Sequence, residues 1–224
     1  MRICAVLLAV VVAVPVLAGS EFGWPVVDTD WPQTQWRPLY QRAMEHNLAR
    51  RMLVGYPDFT VQAERVTTRY EWAAVVSRLV HYFEVPLPGY EYLPPDVPWD
   101  HWCTDACQVW VASRLYPTAP TMNFRGERAL SRGEFAFTML NLMRLMEGET
   151  PPATLLESRD IREQAGELLR QRGILVGYPD GLMHLDHAMP RWQVAVAVYR
   201  LLLWSQEQTG AQPWGPARTR PTQP

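Results

Sequence analysis

Lysine is absent from this chain: all 21 residues of the Lys-plus-Arg count are Arg. Its strong cations are therefore planar, permanently charged guanidinium groups, which read a carboxylate with two parallel hydrogen bonds. Basic blocks are also missing and the formal charge is −2, which argues against a nucleic-acid binder. Cysteine is scarce. Of three residues, Cys4 lies in the first apolar run, which leaves Cys103 and Cys107 near His101. Three candidate ligands without a fourth make a weak metal site; both cysteines fall at small or apolar helix positions, so the two thiols read as buried and free, with an oxidised, strained pair as the alternative. Enzyme signatures are missing too. There is no Gly-x-Ser-x-Gly elbow, no His-Glu-x-x-His pair and no Gly-rich phosphate loop, and such motifs are what nucleophile, zinc or phosphate chemistry would need. The expectation is a protein that is not an enzyme and uses no cofactor and no metal.

Beyond its start the chain lacks any apolar run long enough to cross a bilayer. The start reads as a cleaved export signal over residues 1–18. Met1 and Arg2 form a basic beginning, Ile3 to Leu17 an apolar run broken by Pro15, and Val16-Leu17-Ala18 the small residues of a cleavage site. The expected location is the cell envelope: wall, surface or periplasm. With 224 residues, 48% of them hydrophobic, the chain has the means to bury a core.

What the chain does have is an internal echo. Leu53-Val54-Gly55-Tyr56-Pro57-Asp58 returns as Leu175-Val176-Gly177-Tyr178-Pro179-Asp180. Fourteen residues after each glycine stands an arginine, Arg69 in Thr68-Arg69-Tyr70-Glu71 and Arg191 in Pro190-Arg191-Trp192-Gln193. Equal spacing between two separate matches marks a repeat. A middle copy is signalled by Ser131-Arg132-Gly133-Glu134, with Phe124 level with Val61 and Met183, but its turn has decayed to Thr118-Ala119-Pro120-Thr121. Asp30-x-Pro32 with Trp36 and Asp96-x-Pro98 with Trp102 open the first two copies.

Each copy reads as helix, loop, helix. In the third, a first helix over 162–172 places Ala165, Leu168 and Leu169 on one side, and Gly173 stops it. The second helix starts at the Thr-Arg-x-Glu pattern, where Thr68 or Ser131 caps and Glu71 or Glu134 closes a capping box. Apolar residues follow at helical spacing: Trp72, Val75, Val76, Leu79 and Phe83; Phe135, Met139, Leu142 and Leu145; Val194, Val198 and Leu201. Trp36 and Trp102 are expected in the core. Asp58 and Asp180 are expected to form turns. Phe59 stands where Gly181 stands in the third copy, which leaves the first loop's conformation open. The fold class is all-α, in three units over 27–84, 92–147 and 154–204. The tail over 205–224, rich in Gln, Pro and Thr, reads as disordered.

The Asp-x-Pro-x-x-x-Trp start, the Gly-Tyr-Pro-Asp turn and the Thr-Arg-x-Glu helix start together resemble the S-layer homology (SLH) module, in three divergent copies. The resemblance implies a helical fold whose modules pack with pseudo-threefold symmetry. It implies non-covalent anchoring to cell-wall polysaccharide, a secondary cell-wall polymer or a peptidoglycan-linked glycan, often carrying pyruvate. Its ligand groups fall around the repeat arginine and the turn, here Arg69, Arg132 and Arg191 with Gly55, Tyr56, Asp58, Gly177, Tyr178 and Asp180. The chemistry is reasonable by itself. An arginine in a helix's first turn, beside free N–H groups, favours an anion, and a tyrosine offers a flat face to a sugar. The expected partner is an anionic wall polysaccharide. The alternative is a protein–protein scaffold on a degenerate frame, with another envelope protein as partner.

Overall fold

The computed structural model describes residues 37–87, 92–115, 122–149, 151, 159–178 and 180–209. Among these residues there are six helices and no strand: α1 (Arg37–Ala49), α2 (Arg69–Tyr82), α3 (Thr104–Ala112), α4 (Arg132–Met146), α5 (Arg159–Gln171) and α6 (Arg191–Thr209). The all-α expectation holds, and each described copy contributes two helices. The export signal, Asp30, Trp36 and the decayed turn of the second copy lie outside the described residues.

The second helices start where their capping residues put them. Thr68 Oγ1 accepts from Glu71 N at 3.2 Å, and the Glu71 carboxylate accepts from Thr68 N at 2.9 Å. Ser131 and Glu134 repeat the arrangement at 3.2 and 3.1 Å. Each box satisfies N–H groups that a helix N-terminus would otherwise leave open. The inner faces are those the spacing predicts. Trp72, Val75, Val76 and Leu79 are buried, as are Phe135, Met139, Leu142, Val194, Val198 and Leu201.

The first helices share a stop. Two residues beyond each helix end the backbone turns left-handed, at Arg51 (φ 56°), Arg114 (φ 53°) and Gly173 (φ 69°). A later loop position repeats as well, at Gln62 (φ 46°), Arg125 (φ 53°) and His184 (φ 47°). The three copies therefore share backbone conformation even where side chains have diverged.

The packing crosses between copies. α1 packs on α6, α3 on α2 and α5 on α4, so each first helix rests on a second helix from another copy. The segments just before the second helices are tied in a closed cycle. Thr67 N donates to Met189 O at 2.8 Å, Met189 N to Leu130 O at 2.9 Å, and Leu130 N to Thr67 O at 2.9 Å. A second cycle lies beside it: Tyr70 N to Gly126 O, Gly133 N to Leu185 O and Trp192 N to Ala63 O, at 2.9, 2.7 and 3.0 Å. In each of these pairs a large residue faces a small one. A Cβ on Gly126 would run into the Tyr70 ring, and one on Gly133 would meet Leu185 O at 3.2 Å.

Two expectations are corrected. Trp102 is 64% exposed rather than in the core. α3 starts only at Thr104, so Trp102 sits in the preceding turn, edge-on to Tyr70 at 6.1 Å. α6 runs to Thr209, so residues 205–209 of the expected disordered tail are helical; the rest lies outside the described residues. Cys103 and Cys107 are free and buried, as read. The Cys103 thiol donates to Tyr70 O at 3.2 Å, and the Cys107 thiol is pushed far up, first by its contact with Cys103 and then by burial.

Candidate binding site at the junctions between units

The three repeat arginines are buried, with 4% exposure at Arg69, 3% at Arg132 and 6% at Arg191. A buried guanidinium must find acceptors, and two of these three find them in another copy's loop. Arg191 Nε donates to Val61 O at 2.8 Å and Nη2 to Val54 O. Arg132 Nε donates to Met183 O at 2.9 Å and Nη2 to Val176 O at 2.7 Å. Val54 and Val61 are the repeat counterparts of Val176 and Met183, so the two grips are equivalent. The third copy's arginine holds the first copy's loop, and the second copy's arginine holds the third's. Arg69 lies over the Phe124 ring at 5.1 Å and pairs with Glu134 at 3.0 Å.

Each held loop carries a tyrosine under the same guanidinium. Arg191 lies 4.6 Å from the Tyr56 centroid and Arg132 4.9 Å from that of Tyr178. The Tyr56 hydroxyl donates to Glu71 Oε1 at 2.6 Å, and the Tyr178 hydroxyl accepts from Gln193 Nε2 at 3.3 Å. Burial pushes the Tyr56 phenol up to about 12, with Arg191 opposing and Glu71 assisting. Both tyrosines stay half-buried at the surface of a junction.

The aspartates shape the turns. Asp58 Oδ1 accepts from Thr60 N at 3.0 Å and from its hydroxyl at 2.7 Å. Asp180 Oδ1 accepts from Leu182 N at 2.9 Å. The bonds to Thr60 hold Asp58 below the usual carboxylate range; those to Leu182 N and then His184 do so for Asp180. Both aspartates are exposed, and Gly55 and Gly177 are half-buried beside them. The structure thus brings together Gly55, Tyr56, Asp58 and Arg191 at one junction and Gly177, Tyr178, Asp180 and Arg132 at another. Arg69 joins neither group.

Two features escaped the sequence reading. Asp96 holds the second copy's loop, since its carboxylate accepts from Phe124 N and, at 2.7 Å, from Arg125 N. Arg65 is the exposed cation of the first junction, with 46% of its side chain accessible, 4.9 Å from the Tyr56 centroid and 3.7 Å from Glu71. Four residues before each repeat arginine stands Arg65, Arg128 or His187, a signal that only the complete repeat alignment displays. Among the described residues no three His, Cys, Asp or Glu side chains are grouped to hold a metal ion, and no helix is long and apolar enough to cross a membrane.

These features describe an all-helical assembly of repeated units in which one unit's arginine holds another's loop. No protein-family model matches the chain. It is similar to Cell surface glycoprotein 1 of Acetivibrio thermocellus, 25% identical over 166 residues, which cover 68% of this chain and 7% of that protein. The chain thus spans a small part of the length of the relative it matches.

Proposed function

We propose that the protein is an exported, non-catalytic envelope-binding protein that holds non-covalently to an anionic wall polysaccharide through SLH-type modules packed with pseudo-threefold symmetry. The observation that carries this reading is the duplicated junction: the same Gly-Tyr-x-Asp loop, clasped by another unit's arginine, presents a half-buried tyrosine at two places. The closed cycle of backbone bonds supports the symmetry. Similarity to a protein named as a cell-surface glycoprotein supports the location. Because Nε and Nη2 of both Arg132 and Arg191 donate to loop carbonyls, these residues brace the groove and supply positive field. The tyrosine faces and the exposed Arg65 make the contact with sugar and carboxylate.

The test is co-sedimentation with purified cell wall before and after its secondary polymer is stripped. The protein is expected to pellet with the native wall and to stay in solution with the stripped one. Arg65→Gln with Tyr178→Ala is expected to lower the bound fraction several-fold. Equal sedimentation with both walls, or an unaffected double variant, overturns the reading.

One observation favours a protein partner instead. Trp99 and Trp102 are 74% and 64% exposed, and large aromatics at the surface are what protein interfaces use as anchors. That scaffold reading expects no polymer-dependent sedimentation and loss of a specific partner on Trp99→Ala.

A further inference from the structure

The two tyrosine-bearing junctions are not chemically alike. The first unit's loop carries Gln62 and Arg65, and α2 opens with Glu71. Their counterparts in the third unit are His184, His187 and Gln193. The backbone has not changed with them, since Gln62 and His184 share one left-handed conformation, φ 46° and 47°. A permanent cation has thus become an imidazole, a neutral amide a second imidazole, and a carboxylate an amide.

The imidazoles form one cluster with the tyrosine. The His184 and His187 rings stack at 4.5 Å, 13° from parallel. Both meet the Tyr178 ring edge-on, at 4.9 and 5.9 Å. His184 is half-buried, with Nε2 engaged to an Asp180 carboxylate oxygen at 2.5 Å, and His187 is exposed. Charged groups reach the cluster from the loop, from α4 and from α5. Arg132 of α4 lies under Tyr178, and its Nη1 donates to Gln193 Oε1 of α6 at 2.5 Å. Asp186, between the two histidines in sequence, is paired with Arg162 of α5 at 2.9 Å. With both imidazoles neutral, the charge of Asp180 offsets that of Arg132, and the groove offers an anion little. Imidazole is the side chain that changes charge between about pH 5 and pH 8. Each proton taken up by the pair therefore adds one positive charge beside the Tyr178 face. At the first junction Arg65 is a cation throughout this range.

We propose that His184 and His187 make the third unit's junction an acid-strengthened site for the carboxylates of the wall polysaccharide, a regulation that rests on the junction reading above. His187 takes the place that Arg65 holds at the first junction, and His184 backs it. Binding through this junction strengthens as pH falls. By reciprocity, bound polymer draws protons onto the pair. The first junction holds the polymer at any pH in this range, and the third adds its grip in acid.

The test is co-sedimentation of the full chain with native and stripped cell wall, from about pH 8 to about pH 5 at constant ionic strength. Affinity for the native wall is expected to rise several-fold across that range. His184→Gln with His187→Gln is expected to keep the affinity seen at the alkaline end and to lose the rise. The first of these changes installs the first unit's residue on the same backbone conformation. His187→Arg, at an exposed position, installs the first unit's cation and is expected to raise the alkaline affinity several-fold and flatten the profile. A flat wild-type profile on native wall overturns the acid response and leaves the junction reading standing. So does a full rise in the double Gln variant, or wild-type alkaline affinity in His187→Arg. Equal sedimentation with both walls at every pH overturns the junction reading and the acid response together.

Discussion

Phe59 holds a backbone conformation, φ 64°, that Gly181 holds at φ 79° in the third copy. A side chain in the left-handed region costs about 1–2 kcal/mol, and the Asp58 turn imposes that region whatever residue follows it. Phe59 is 38% exposed, and packing of the covered part of its side chain offsets some of that cost. Glycine's larger entropy in the unfolded chain offsets part of the relief, roughly 0.5–1 kcal/mol. Phe59→Gly is therefore expected to raise the unfolding free energy by up to about 1 kcal/mol, read from urea denaturation with an unchanged slope. A clear loss of stability would show that packing of the Phe59 side chain outweighs the backbone strain. At the same scale, the pairing of Tyr70 with Gly126 and Leu185 with Gly133 gives each contact in the cycle its own fit, a residue-level reason for one order of units.

The helices meet in pairs that place polar groups under apolar cover. On α1, Asn47 Nδ2 donates to Ala195 O of α6 at 2.7 Å, and the His46 ring meets Tyr199 edge-on at 4.7 Å. Burial, with Arg50 assisting, pulls His46 down to about 4 from an ordinary 6.5. The folded state therefore favours the neutral ring, and the unfolded state takes up the proton first as pH falls. The contribution is complete above pH 6.5 and declines between 6.5 and about 4. Up to about 3 kcal/mol of stability is expected to be lost across that window, measured as denaturation midpoints against pH. His46→Gln should flatten the profile in this range; the same slope in that variant would place the titration on another group.

Over the whole molecule, no described unit closes by itself. Each first helix lies on another unit's second helix, and the hydrogen-bond cycle runs Thr67, Met189, Leu130 and back. Loss of one unit leaves the other two each with an open face. Unfolding of the full chain is therefore expected as one transition, coincident by tryptophan fluorescence and far-UV circular dichroism. Two separated transitions would show that the units fold independently despite the cycle.

Much of this was legible in the sequence because it depends on local chemistry. The capping boxes at Thr68 and Ser131, the stop at Gly173, the apolar faces and the Asp58 and Asp180 turns follow from residues a few positions apart, whose bonds form whenever the helix or turn does. The burial of Cys103 and Cys107 followed from periodicity. The exposure of Trp102 did not, because it depends on α3 starting only at Thr104, past the tryptophan. Nor could spacing assign the arginines their acceptors. Arg191 and Val61 are 130 positions apart, and such a pairing is decided by which units adjoin. The sequence by itself determined that there are repeated helical units and that the first and third carry a tyrosine-bearing turn. Only the tertiary structure decided that one unit's arginine is spent inside another unit's loop, since a buried guanidinium takes whatever carbonyls the packing brings within reach.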